Sequence, residues 1–221
     1  MIRLTETVKH LLIINVIVFV AGAFILPGLP ADNAVFDFLR RFQDEGALYY
    51  PGSKYFSWYQ LITHMFLHGN LSHLFFNMFA LYMFGSALES RWGQKRFLIF
   101  YFFAGLGGAI FQIISWQVGF MNMSPIEQQY FLNTPFRVIG ASGAVFGVLA
   151  GFGMLYPNAE LMLLFPPIPI KAKYFVAIYA MLEIFLGIGN FNTGVAHLAH
   201  IGGLVFGILL VLYWRKTNRY V

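Results

Sequence analysis

Residues 140–147 read Gly140-Ala141-Ser142-Gly143-Ala144-Val145-Phe146-Gly147, and they open an apolar run that continues to Leu155. Gly143, Gly147 and Gly151 return every four positions, so one face of this helix is a flat groove for a neighbour. The matching surface lies near the C-terminus. In Ala199-His200-Ile201-Gly202-Gly203-Leu204-Val205-Phe206-Gly207, the small residues Ala199, Gly203 and Gly207 keep the same spacing, and His200 leads the same broad face. Two such faces in contact bring His200 against Ser142, a nucleophile and a general base supplied by two helices.

The medium around those helices follows from composition. Of 221 residues, 59% are hydrophobic and 10% charged, and mean hydropathy is +0.68. A soluble domain of this size has no interior large enough for that much apolar surface, so the chain is an all-α polytopic membrane protein. Its 26 Phe fit helices that face lipid, and one membrane domain over residues 1–221 is expected. Without cysteine there is no disulfide, thiol chemistry or Cys-based metal site. The net charge of +5 is explained by where the charges fall, and no nucleic-acid partner is expected.

Apolar runs predict six transmembrane helices over about 11–26, 71–89, 97–116, 138–155, 172–189 and 196–214. The first is too long for a signal-peptide core and lacks a convincing cleavage site. Asn70 is a candidate N-cap of the second. Residues 29–70 form a long mixed connection of the kind that is functional or carries interfacial helices, and 118–137 reads as a loop. A proline-rich turn spans 157–169, and Asn190-Phe191-Asn192-Thr193-Gly194 forms a short polar loop before the sixth helix.

With six spans, Arg3, Lys9, Arg91, Lys95, Arg96, Lys171, Lys173, Arg215, Lys216 and Arg219 share a side with both termini. Only Arg40, Arg41, Lys54 and Arg137 lie opposite, so both termini are expected in the cytoplasm. Spans two, four and six then start from the outer side. His73, Asn77, Ser142 and His200 fall in or near their first turns, roughly 6 to 9 Å along each helix. They define a site recessed in the membrane and reached by water from outside.

Peptide hydrolysis needs a nucleophile, a base that later returns its proton to the leaving amine, and donors for the oxyanion. Ser142 and His200 fill the first two roles. No acidic residue is close enough in sequence or inferred depth to serve as a third member, so a dyad is expected, with the imidazole oriented by packing. Phe146, one turn below Ser142, offers a surface for His200 to stack on. His73 and Asn77, four apart on one face, join the Ser142 backbone N–H as oxyanion donors.

These motifs resemble those of the rhomboid intramembrane serine proteases: Gly140-x-Ser142-Gly143, Ala199-His200-x-Gly202-Gly203 and His73-x-x-x-Asn77. His64, His68 and Gly85-x-x-x-Glu89-x-Arg91-x-Gly93 are similar too, so the resemblance runs from about Trp58 to Gly207. It implies a six-transmembrane-helix rhomboid bundle around a water-filled cavity, with no metal or cofactor. It also implies cleavage of single-pass transmembrane substrates near the outer face of the bilayer, a first loop partly in the membrane, and a fifth helix and following loop that act as gate and cap. Many members of the family carry Tyr where this chain has Phe146.

Competing readings are blander. Ser142, Gly140, Gly143, Gly203 and Gly207 taken singly are packing residues of membrane helices. His64, His68 and His73 invite a metal, but no His-Glu-x-x-His pattern is present and the break at Gly69-Asn70 separates them. His64 and His68 are expected to hydrogen-bond within the first loop, His197 to line the cavity or its cap, and Glu89 with Arg91 to form an ion pair or loop anchor. Glu183, inside the fifth span, fits either gating or simple solvation. A catalytically silent rhomboid-like protein that binds membrane helices is the alternative function. A transporter fits poorly, because there is no internal repeat. The short termini suggest no further domain or organelle-targeting segment, which makes a bacterial cytoplasmic membrane the economical location.

Overall fold

The computed structural model describes residues 3–25, 34–162, 167–189 and 193–217. Most of them are helical. Helix α1 (Glu6–Val20) passes into a wider π turn, Ala21–Ile25, and α2 (Ala34–Glu45) is an amphipathic helix in the first connection. Strand β1 (Leu48–Tyr49) and the short α3 (Gln60–Thr63) complete that connection. Helix α4 (Leu71–Ala80) continues through a π turn into α5 (Ser86–Trp92), and α6 (Gln94–Met121) follows after the single residue Gly93, whose φ of +80° only glycine adopts freely. Next come α7 (Pro125–Asn133), strand β2 (Arg137–Val138) and α8 (Ser142–Leu155). The hairpin β3 (Glu160–Met162) and β4 (Pro169–Lys171) leads to α9 (Ala172–Ile188) and α10 (His197–Lys216).

Helices stand at all six expected positions. Four have the length and apolar character to cross a bilayer: Glu6–Ile25, Leu71–Trp92, Gln94–Met121 and His197–Lys216. Helix α8 has 14 residues and α9 has 17. At about 1.5 Å per residue α8 is roughly 21 Å long, short of a hydrocarbon core of about 30 Å. It is also the most enclosed helix, buried from Ala144 through Gly153, with α6 and α10 against it.

Two expectations change. The fourth helix starts at Ser142 and not near 138, because Arg137 and Val138 pair antiparallel with Tyr49 and Leu48. That pairing brings together residues far apart in sequence, so local periodicity does not announce it. The 118–137 segment is not a loop throughout: α6 runs on to Met121, and α7 is started by a capping box in which Ser124 and Glu127 satisfy each other's backbone N–H, with Pro125 in the first turn. Of the two readings for Glu89, the structure shows the anchor. Its buried carboxylate accepts from Thr5 Oγ1 (2.5 Å) and from the N–H groups of Thr7 and Val8 (2.9 Å each), closing the N-terminus of α1. Asn70 does cap α4, accepting from His73 N at 2.8 Å. The end of the first expected span at 26, residues 190–192 of the polar loop, Arg219 and part of the proline-rich turn lie outside the described residues.

Candidate active site

The chain reaches Ser142 through a constrained turn. Gly140 has φ +129°, its N–H donates to the His64 carbonyl at 2.9 Å, and a Cβ placed there would stand 2.7 Å from His73 Nε2. Only glycine permits both that backbone and the approach of His73. Ser142 then occupies the first position of α8, where backbone N–H groups have no partner within the helix.

His200 arrives from α10. A Cβ on Gly203 would overlap the Gly143 carbonyl, and one on Gly207 would lie 2.9 Å from the Gly147 carbonyl, so the two backbones meet almost directly. Ala199 belongs to the same contact through its carbonyl, which faces Gly143 and Gly108 of α6. Gly151 leaves this seam and faces Phe100, Leu88 and Trp92. The seam sets His200 Nε2 2.8 Å from Ser142 Oγ. The His200 ring lies flat on Phe146, with centroids 4.2 Å apart and planes at 9°, and Tyr179 of α9 stacks on Phe146 at 5.1 Å.

An acidic group is present, contrary to the sequence expectation of a dyad oriented by packing alone. Glu183 of α9 is 4% exposed, and its Oε2 lies 2.6 Å from His197 Nδ1 and 3.0 Å from His200 Nδ1. The first contact is a hydrogen bond. In the second, the His200 Nδ1–H does not point straight at the oxygen, so the contact is close but bent. The other His197 nitrogen is 2.7 Å from Thr193 Oγ1. The depth of Glu183 was legible: it precedes the end of α9 by five residues and His200 follows the start of α10 by three, about 7.5 and 4.5 Å along antiparallel neighbours. Only the packing of α9 on α10 turns that similar depth into contact.

Glu183, His197 and His200 also form a cluster of metal-ligand type. Two ligands of one tetrahedral zinc stand about 3.3 Å apart, given bonds near 2.0–2.1 Å. At 2.6 Å the Glu183–His197 contact is that of a hydrogen bond.

On α4, His73 Nδ1 faces the Gly69 N–H at 3.5 Å, leaving Nε2 toward Gly140, while Asn77 is buried and gives one amide hydrogen to the His73 carbonyl at 3.0 Å. The second amide hydrogen has no partner among the described residues. His64 bonds within the first loop, through Nδ1 to the Gln60 carbonyl at 2.7 Å, and burial pushes its imidazole down to about 4. The His68 ring meets His73 edge-on at 5.0 Å.

A family profile described as the Rhomboid domain matches residues 55–217. The chain is 29% identical over 175 residues to Rhomboid-like protease 3 of Toxoplasma gondii, covering 77% of this chain and 57% of that protein. It is 32% identical over 162 residues to RHOMBOID-like protein 12, mitochondrial, of Arabidopsis thaliana, covering 72% and 46%. It is 32% identical over 174 residues to Rhomboid protease AarA of Providencia stuartii, covering 75% and 59%. The chain thus spans about half the length of these curated relatives.

Proposed function

The chain belongs to the rhomboid family of membrane proteins, and from that membership and its site we propose an intramembrane serine endopeptidase in which Ser142 is the nucleophile and His200 the general base and acid. The observation that carries this reading is the 2.8 Å contact between Ser142 Oγ and His200 Nε2 across the glycine seam. Nε2 takes the hydroxyl proton as Oγ attacks the scissile carbonyl, then gives it to the departing amine, leaving an acyl-serine. A water activated by the same nitrogen releases the acid. The oxyanion is held by the Ser142 N–H, by His73 Nε2–H and by the free Asn77 amide hydrogen.

The same proposal takes all six helices as spans, with both termini cytoplasmic in a bacterial cytoplasmic membrane. The asymmetry of Lys and Arg supports the orientation. The substrate is a single-pass transmembrane segment that unwinds near the outer face, because an intact helix presents no free carbonyl to Ser142.

The test is cleavage of a single-pass substrate by purified wild type, Ser142→Ala and His200→Ala in liposomes, with folding checked by thermal melting. Wild type is expected to cut and both variants to fail while folded. Continued cutting by Ser142→Ala overturns the assignment.

A further inference from the structure

We propose that Glu183 is the positioning residue of this site, holding the His200 imidazole from behind while pinning α9 to the bundle, so that the base is oriented only when α9 is docked. This rests on the Ser142–His200 reading above.

A carboxylate inside an apolar helix is costly unless paired, and α9 has every other reason to carry leucine there. Ala172 and Glu183 are the only buried side chains of α9. Docking alone would be served by the single hydrogen bond to His197, yet the same Oε2 also stands 3.0 Å from His200 Nδ1. When the Ser142 hydroxyl donates to Nε2, a neutral His200 carries its proton on Nδ1, the nitrogen that faces Glu183. The imidazolium formed during attack therefore sits against a carboxylate placed in advance. His197 fixes that carboxylate, and Thr193 fixes His197, giving a continuous line Thr193, His197, Glu183, His200, Ser142.

Helix α9 touches the base a second time. Tyr179, one turn before Glu183, stacks on Phe146, the same ring on which His200 lies. Loss of α9 from the bundle removes the carboxylate beside the imidazole and a ring contact of its stacking partner in one movement.

The test uses the full chain in detergent, with kcat and KM on a single-pass substrate, the rate of Ser142 labelling by a fluorophosphonate, and the melting temperature. Glu183→Gln keeps the shape and loses the charge; it is expected to lower kcat and labelling on the order of 10²-fold with KM nearly unchanged, and Glu183→Asp to restore part of the loss. A folded Glu183→Gln protein with wild-type kcat, or one in which only KM rises, overturns the inference. Should Glu183→Gln fail to fold, Glu183→Asp decides: a folded Glu183→Asp protein with kcat below wild type and KM nearly unchanged supports the inference, and one with wild-type kcat overturns it. A wild type that neither cuts nor labels overturns the protease reading itself, which is distinguishable from an active wild type matched by Glu183→Gln.

Discussion

Gly140 shows how much of the site depends on one missing side chain. Its φ of +129° is costly for any residue with a Cβ, by about 1–3 kcal/mol, and the Cβ itself would push on His73 Nε2. Gly140→Ala is therefore expected to displace an oxyanion donor and lower kcat by roughly 10²-fold, with a smaller effect on melting temperature. Steady-state cleavage beside a thermal melt checks this, and an unchanged kcat would remove His73 from the proposed role. At this scale the sequence was informative wherever a residue announces its own chemistry. Ser142, His200, His73 and Phe146 stand in short local patterns. Glu183 does not, because its partners His197 and His200 stand on the next helix and become neighbours only when α9 and α10 pack.

The decisive elements are α8 and α10, and the distinction between their glycines is testable. A Cβ on Gly203 meets backbone, the Gly143 carbonyl, which cannot step aside without moving the helix. A Cβ on Gly151 meets the ends of Phe100, Leu88 and Trp92 at 3.0 to 3.3 Å, which are side-chain atoms and not backbone. Gly203→Ala is expected to destabilise by about 3 kcal/mol or more and to separate Ser142 from His200, while Gly151→Ala costs about 1–2 kcal/mol and keeps activity. Equal melting temperatures for the two variants would contradict the seam. The four-residue spacing of small residues makes this contact legible from the amino acids alone, since it is a property of one helix face. The start of α8 and the whole of α7 were not, because one depends on a long-range strand pair and the other on a polar capping box outside any apolar run.

For the whole molecule the question is which side of the bilayer reaches the site. The chain has no cysteine, so single cysteines report without background. Ser142→Cys, at the start of the short α8, is expected to react with a membrane-impermeant maleimide added to the outer face of sealed vesicles, and Tyr156→Cys, just past its other end, only from the opposite face. Labelling of both from one face would refute the orientation read from Lys and Arg. The glycine seam adds a thermal property to this architecture. Hydrocarbon tails release no ordered water when two helices meet among them, so closing α8 on α10 carries little of the heat-capacity change that accompanies burial from water. Dispersion between backbones at short range holds it instead. Cooling weakens a water-driven core but not this contact, so Ser142 and His200 keep their spacing for as long as the surrounding lipid stays fluid.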